Sequence, residues 1–288
     1  MQAYLLDNSK VEIDPMSAEI GGSWQAPRRD GIPDVWGADE LRFFYKRTLE
    51  RRRPVVIDVG ANTGSYSLLA AINRDMASYA FEPAPITYAV LNKNISLNNL
   101  EARVKAFNMA LADRNGKGVL KYPESGKESG LACIGRPLRF DRWIEYEVDL
   151  WRLDDFAAQN GIEKADLIKL DTEGSELLVL KGAEEFVRRC RPNIFCEYHE
   201  VNAGQFGYHP RQIVELLHSW GYRHARVGHE DVYFYIPKGT GVVMPGFKKG
   251  DACDRPAVDH SVPAVCAERG RRLPKVAIVK QVLDVFGP

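Results

Sequence analysis

The feature that most constrains this chain is the apolar run Val55 to Val59, which ends in the turn Gly60-Ala61-Asn62-Thr63-Gly64 and passes straight into a second apolar stretch, Ser65 to Asn73. Strand, glycine turn and helix in that order make a nucleotide-type site. Glycine at position 60 lets the backbone turn sharply and approach a ligand closely, and the helix that follows offers unpaired N–H groups to a polar or negative end. Further strand-like runs lie at 78–83, 103–111, 166–171 and 193–199. Most are continuous rather than alternating, as in strands buried on both faces of a parallel sheet. Helical stretches separate them: 86–99, and 175–190, where Leu177, Leu180, Ala183 and Val187 recur at helical spacing. Strand alternating with helix predicts an α/β, Rossmann-like fold with a mostly parallel, doubly wound sheet.

The regular pattern occupies residues 51–237, flanked by an N-terminal segment, 1–50, and a C-terminal extension, 238–288. Within the N-terminal segment a helix from Ala38 to Arg51 places Leu41, Phe44, Tyr45, Thr48 and Leu49 on one face, and the segment reads as a lid or docking element. Between Asp113 and Leu150 glycines and prolines interrupt the pattern, so short strands and a flexible loop are expected there. Residues 210–220 read as a helix with proline in its first turn. An antiparallel hairpin should follow around Gly228 to Asp231. The extension holds an apolar stretch near its end and reads as a packed addition or an oligomer contact, such as that of a homodimer.

Composition narrows the partners. Thirty-nine basic residues balance thirty-nine acidic ones, so bulk attraction to nucleic acid or an anionic membrane is not expected. No run approaches the roughly 18 to 20 apolar residues of a membrane span, and the amino terminus lacks a signal-peptide pattern. The five cysteines are odd in number and form no CxxC pair, which suits reduced thiols in the cytoplasm. A small, neutral partner is the natural expectation.

Glu82 ends the second strand 24 residues after Asp58, close to the roughly 20-residue offset of a ribose-binding acid. The complete GxGxxG of a dinucleotide site is missing, since Asn stands at 62, and this argues against NAD and against an oxidoreductase. The ordered set DVGANTG, FEP, NMALAD, WRLDDF, KLDTEGSE and RPNIFCEYH, spread over residues 54 to 200, resembles the FkbM family of methyltransferases. That resemblance implies a class I methyltransferase fold, S-adenosylmethionine as donor, and O-methylation of a sugar, polyketide or other small hydroxylated metabolite. It also implies residue roles. The turn Asp58, Gly60, Asn62 and Gly64 would hold the methionine part, Glu82 the ribose hydroxyls, and Asn108, Ala110 and Leu111 would lie beside the adenine. Nothing in the residues separates hydroxyl from amine acceptors, so N-methylation stays open. So does a catalytically silent partner-binding module on the same fold.

For catalysis the sequence offers Asp171 at one strand end and Glu197 and His199 at the next, the last two spaced by two and so expected to share a side. An imidazole of ordinary pKa, about 6.5, can take a proton from an acceptor hydroxyl. Glu173 reads as a helix-capping acid and Glu176 as a solvated one. A magnesium or manganese ion on Asp171 and Glu197, with or without His199, is the alternative. With only two or three ligands in view, the metal-free route is the working expectation. Trp24, Trp36 and Trp143 read first as packing residues and second as an acceptor-pocket lining.

Overall fold

The computed structural model describes residues 1–6, 9–20, 24–27, 33–35, 37–227 and 231–236. The expectations for the C-terminal extension, for Trp36 and for the tip of the hairpin lie outside these residues. A seven-stranded sheet organises the chain: β1 (Val55–Val59), β2 (Ala77–Phe81), β3 (Val104–Phe107), β4 (Leu167–Leu170), β5 (Asn193–Glu197), β6 (Arg223–Val227) and β7 (Asp231–Tyr235), in the order β6-β7-β5-β4-β1-β2-β3. Every pairing from β5 to β3 is parallel, and β7 runs antiparallel to both β5 and β6. β4 is buried along its whole length, and β1 and β5 at all but one residue, so the continuous apolar runs become the centre of the sheet.

The order reverses between β1 and β4, and this switch point opens the crevice where ligands bind in such sheets. Two apolar layers cover the faces. One is built around Ile57, Phe81, Ile168, Leu180 and Phe186. The other combines Val56, Leu68, Leu69, Leu91 and Ile95 with residues from the amino terminus.

Several elements differ from the sequence reading for identifiable reasons. The single run 103–111 is two strands: β3 stays in the main sheet, while Ala110–Leu111 pairs with Leu150 and Trp151 in a separate three-stranded sheet. The remainder of that sheet is an antiparallel pair, Gly116–Pro123 with Trp143–Trp151, longer than the short strands expected in this region. Ser67–Ala71 forms a short 3₁₀ turn rather than a longer helix. The helix after β4 breaks at Gly182 into two, Glu176–Lys181 and Glu184–Cys190. Gly182 passes so close to Ala112 that a Cβ there would lie 1.9 Å from its carbonyl oxygen.

The N-terminal segment is built into the core. Its strands, Gln2–Leu6, Ser9–Glu12, Trp24–Pro27 and Pro33–Val35, form a four-stranded sheet. Ala3, Leu5, Ile13, Trp24 and Val35 pack with Val56, Leu68 and Leu69. The helix Ala38–Leu49 buries Leu41, Phe44 and Thr48 as the periodicity requires, but Leu49 is exposed. Trp24 packs against the glycine turn: its Nε1–H donates to Thr63 Oγ1 at 3.1 Å. Asn94 ties the same turn to the amino terminus, donating to the Thr63 carbonyl at 2.8 Å and accepting from the Asp14 N–H at 2.7 Å.

Candidate active site

A cavity of about 470 Å³ opens at the carboxyl ends of β1, β2 and β4. Its first wall is the turn after β1. The N–H groups of Gly60 and Ala61 both donate to the Phe81 carbonyl at 3.0 Å, which fastens the turn to β2. Gly60 has φ +74°, and a Cβ placed on it would lie 1.7 Å from the Asp171 carbonyl oxygen. Glycine is required there because the end of β4 occupies the space. Asn62, also left-handed at φ +51°, donates its N–H to Glu82 Oε2 at 2.9 Å. Its Oδ1 accepts from the Thr63 N–H and from Ser129 Oγ of the insertion.

Glu82 stands at the head of β2 with its second oxygen accepting the Ala84 N–H at 2.9 Å. Each oxygen keeps a lone pair for a ligand hydroxyl. Burial pushes this carboxyl up to about 7 against the pull of its two N–H donors, with Asp58 and Asp171 adding to the rise. Because the folded value is raised, the folded chain binds more protons than the unfolded one between the usual carboxylate range and about 7. Its contribution to stability therefore declines as pH climbs through that window. A ligand that needs the ionised carboxylate behaves in the opposite sense. We expect S-adenosylhomocysteine affinity to rise with pH through about 7, and Glu82→Gln to flatten that dependence. Glu82→Ala should weaken binding by about 1.5 to 3 kcal/mol, the scale of a hydrogen bond to a charged group. Calorimetry on a folded variant with unchanged affinity would remove Glu82 from the site.

The other sequence-selected donor residues divide into those that face the cavity and those that stand behind it. Gly60, Asn62, Ala110 and Leu111 line it beside Glu82. Asp58, 1% exposed, points away and accepts Ser67 Oγ at 2.6 Å, with burial raising its carboxyl to about 6. Gly64 packs against Leu91, and Asn108 donates to the Glu82 and Pro83 carbonyls, bracing the end of β2 from outside.

The second wall is the turn after β4. Asp171, Thr172 and Glu173 line the cavity, and a buried Glu176 folds them into place. Its Oε1 accepts from the Thr172 N–H, the Thr172 hydroxyl and the Gly174 N–H, and its Oε2 from Tyr208. Glu176 is thus the bracing acid rather than a solvated one. Glu173 is not a cap: at φ +53° it turns inward and accepts from Asn202 Nδ2 at 2.7 Å and Arg139 at 3.5 Å. Burial, then the neighbouring Asp171 charge, push it up to about 8.

Glu197 lies behind Glu173 and does not line the cavity; its Oε1 accepts from Asn202 Nδ2 at 3.2 Å. Burial and the nearby acids hold it well above the usual carboxylate range. β5 ends at Glu197, so strand alternation does not carry to His199, which sits at the N-cap of the helix Glu200–Gly204 and accepts the Asn202 N–H through Nδ1. It too lies off the cavity lining.

Among the cavity residues that the sequence reading did not select are Tyr66, Asp231 and Lys169. Lys169 is 3% exposed, and its Nζ donates to Asp171 Oδ2 at 2.9 Å. Burial alone would lower its ammonium, but Asp171, Tyr66 and Asp231 outweigh that and hold it well above the ordinary lysine value. The available signal was a lone lysine inside a fully buried strand, a residue type rarely buried without a partner. Trp143 lies off the lining, with its Nε1–H on Glu145.

A glycine turn after β1, an acid at the head of β2, a cavity at the switch point and the antiparallel β7 define a class I S-adenosylmethionine-dependent methyltransferase. The chain belongs to the FkbM methyltransferase family: residues 58–224 match the family described as the methyltransferase FkbM domain. It is similar to methyltransferase sdnD of Sordaria araneosa, 33% identical over 64% of this chain and 82% of that protein. It is also similar to the 2-O-methyltransferase NoeI of Sinorhizobium fredii, 33% identical over 60% of this chain and 74% of that one. A third relative is the 31-O-demethyl-FK506 methyltransferase FkbM of Streptomyces tacrolimicus, 29% identical over 64% and 83%. Among the described residues no helix is long and apolar enough to cross a membrane.

Proposed function

We propose that this methyltransferase O-methylates a hydroxyl of a small sugar-like or polyketide metabolite in the cytoplasm, with Asp171 as the proton acceptor. The observation that carries the reading is the meeting of the two strand ends. Asp171 lines the same cavity as Glu82, and its backbone touches Gly60. S-adenosylmethionine, when bound, supplies an electrophilic methyl group; Glu82 and the turn from Gly60 to Asn62 would hold it. The protein's own work is to hold the acceptor oxygen in line, exclude water and take the hydroxyl proton. Asp171 is the one of the three sequence-selected acids and bases that faces the cavity, which favours it over Glu197 and His199. The names of NoeI and the FK506 enzyme specify O-methylation, which favours a hydroxyl over an amine.

A divalent cation is the second reading, and one feature favours it: carboxylate oxygens of Asp171, Glu173 and Glu197 lie within 4.8 Å of one another. Glu173, rather than His199, is the third member. The protein already supplies positive charge here through Lys169 on Asp171 and Arg139 on Glu173, which supports the metal-free route. We expect turnover to persist after exhaustive chelation, and Asp171→Asn to lower kcat by about 10²- to 10⁴-fold, the usual worth of a general base. Donor affinity should hardly change. Activity lost in chelator and restored by magnesium or manganese would replace this assignment with the cation.

A further inference from the structure

We propose that Lys169 is a positioning residue for methyl transfer: it grips one oxygen of Asp171 and turns the other toward the acceptor hydroxyl. The inference rests on the reading of Asp171 given above. Lys169 is the third residue of β4, flanked by the buried Ile168 and Leu170, and its ammonium lies over the rings of Tyr66 and Phe195, 5.0 and 5.6 Å from their centroids. Stability does not explain a charge in that place. Buried ion pairs replaced by apolar side chains of similar size are often neutral or more stable, so an ammonium retained at a cavity wall points to the cavity.

Geometry supplies the role. Residues 169 and 171 are spaced by two along an extended chain and share a side, so the short carboxylate and the long amine meet at 2.9 Å. Asp171 keeps a half-open side chain, 44% exposed against 3% for Lys169. With Oδ2 engaged, Oδ1 has no protein partner among the described residues. A carboxylate turns about one bond, so fixing one oxygen fixes both. Oxygens of Glu173 and Glu197 also lie within 4.8 Å of it, so the Lys169 contact sets how this side chain turns among them. The ammonium also lies over the rings of Tyr66 and Phe195, whose faces attract its charge, and Asp231 is a second acidic neighbour.

The test compares Lys169→Met, Lys169→Arg, Asp171→Asn and the Lys169→Met/Asp171→Asn double variant, with S-adenosylhomocysteine calorimetry and separate kcat and acceptor KM. Misplacement of a reacting group costs on the order of 100-fold, so Lys169→Met should lose about that in kcat while donor affinity stays within about twofold of wild type. Lys169→Arg should regain a large part of the loss. The double variant should be no slower than Asp171→Asn alone, because Lys169 acts only through that carboxylate. Should the methionine variant fail to fold, Lys169→Gln carries the same comparison. Wild-type kcat in the methionine or glutamine variant overturns the proposal. So does a loss that multiplies with that of Asp171→Asn, or a parallel collapse of donor affinity. If the wild-type enzyme methylates amines and no hydroxyl, the O-methylation reading falls first, and the role of Lys169 falls with it.

Discussion

A chain lacking residues 1–37 is expected to lose its cooperative melt and its affinity for S-adenosylhomocysteine together. Read as a lid, this segment would be dispensable for donor binding and needed for turnover. The packing predicts otherwise. Leu5, Leu6, Val11, Ile13, Trp24 and Val35 are each 5% exposed or less and close one face of the sheet over Val56, Leu68 and Leu69. A fully buried side chain of this size contributes about 1.5 to 3 kcal/mol. Six of them match the whole stability of an ordinary domain, about 5 to 15 kcal/mol. The deletion also removes the Trp24 bond to Thr63 and the Asp14 bond to Asn94, both of which brace the glycine turn. Circular dichroism and calorimetry on the truncated chain decide the matter. A soluble product that melts cooperatively and binds the donor normally would make the segment a detachable cover after all.

Gly60→Val should be as damaging, from a single atom position. The left-handed φ of +74° costs a side-chain-bearing residue about 1 to 2 kcal/mol, more when it is branched at Cβ. The larger cost is collision. The added Cβ would sit 1.7 Å from the Asp171 carbonyl oxygen and 2.8 Å from its carbon, both backbone atoms that cannot rotate aside. Either β4 or the turn must move, and donor affinity should fall by more than about 100-fold with a clearly lower melting temperature, since a shift of about 1 Å costs that much at a tuned site. Gly64→Ala is the comparison without a backbone collision: its φ of +103° also strains a side chain, but its nearest neighbour is the flexible tip of Leu91 at 2.7 Å. Normal binding by a folded Gly60→Val protein would mean that the two strand ends are not locked together.

Much of this architecture was legible because its signals are local. β1, β4 and β5 announce themselves as mostly apolar runs without alternation, and the offset of Glu82 from Asp58 follows from the length of one strand–helix–strand unit. What escaped depends on partners or on backbone angles that spelling does not carry. Asp171, Glu173 and Glu176 look interchangeable on the page, yet a left-handed residue at 173 sends one inward and leaves another to gather three donors. His199 was misread because alternation was carried two residues beyond the end of β5. Lys169 was overlooked because a strand scored for apolarity averages away its single charge. The reason for Gly60 lies 111 residues downstream, in a carbonyl that no local pattern predicts.

That carbonyl has a consequence for how such an enzyme changes its diet. The spacing of the two strand ends is a main-chain dimension, Gly60 resting on the backbone of Asp171, and it does not depend on which side chains line the rest of the cavity. The rest of the cavity lining comes from elsewhere: Glu40 from the N-terminal helix, Ser129, Gly130, Ala132, Cys133 and Ile134 from the insertion, and Asp231 from the hairpin. Those peripheral parts can vary in composition while the two strand ends stay clamped together. A scaffold of this kind can take on a new molecule without having to rediscover the reaction.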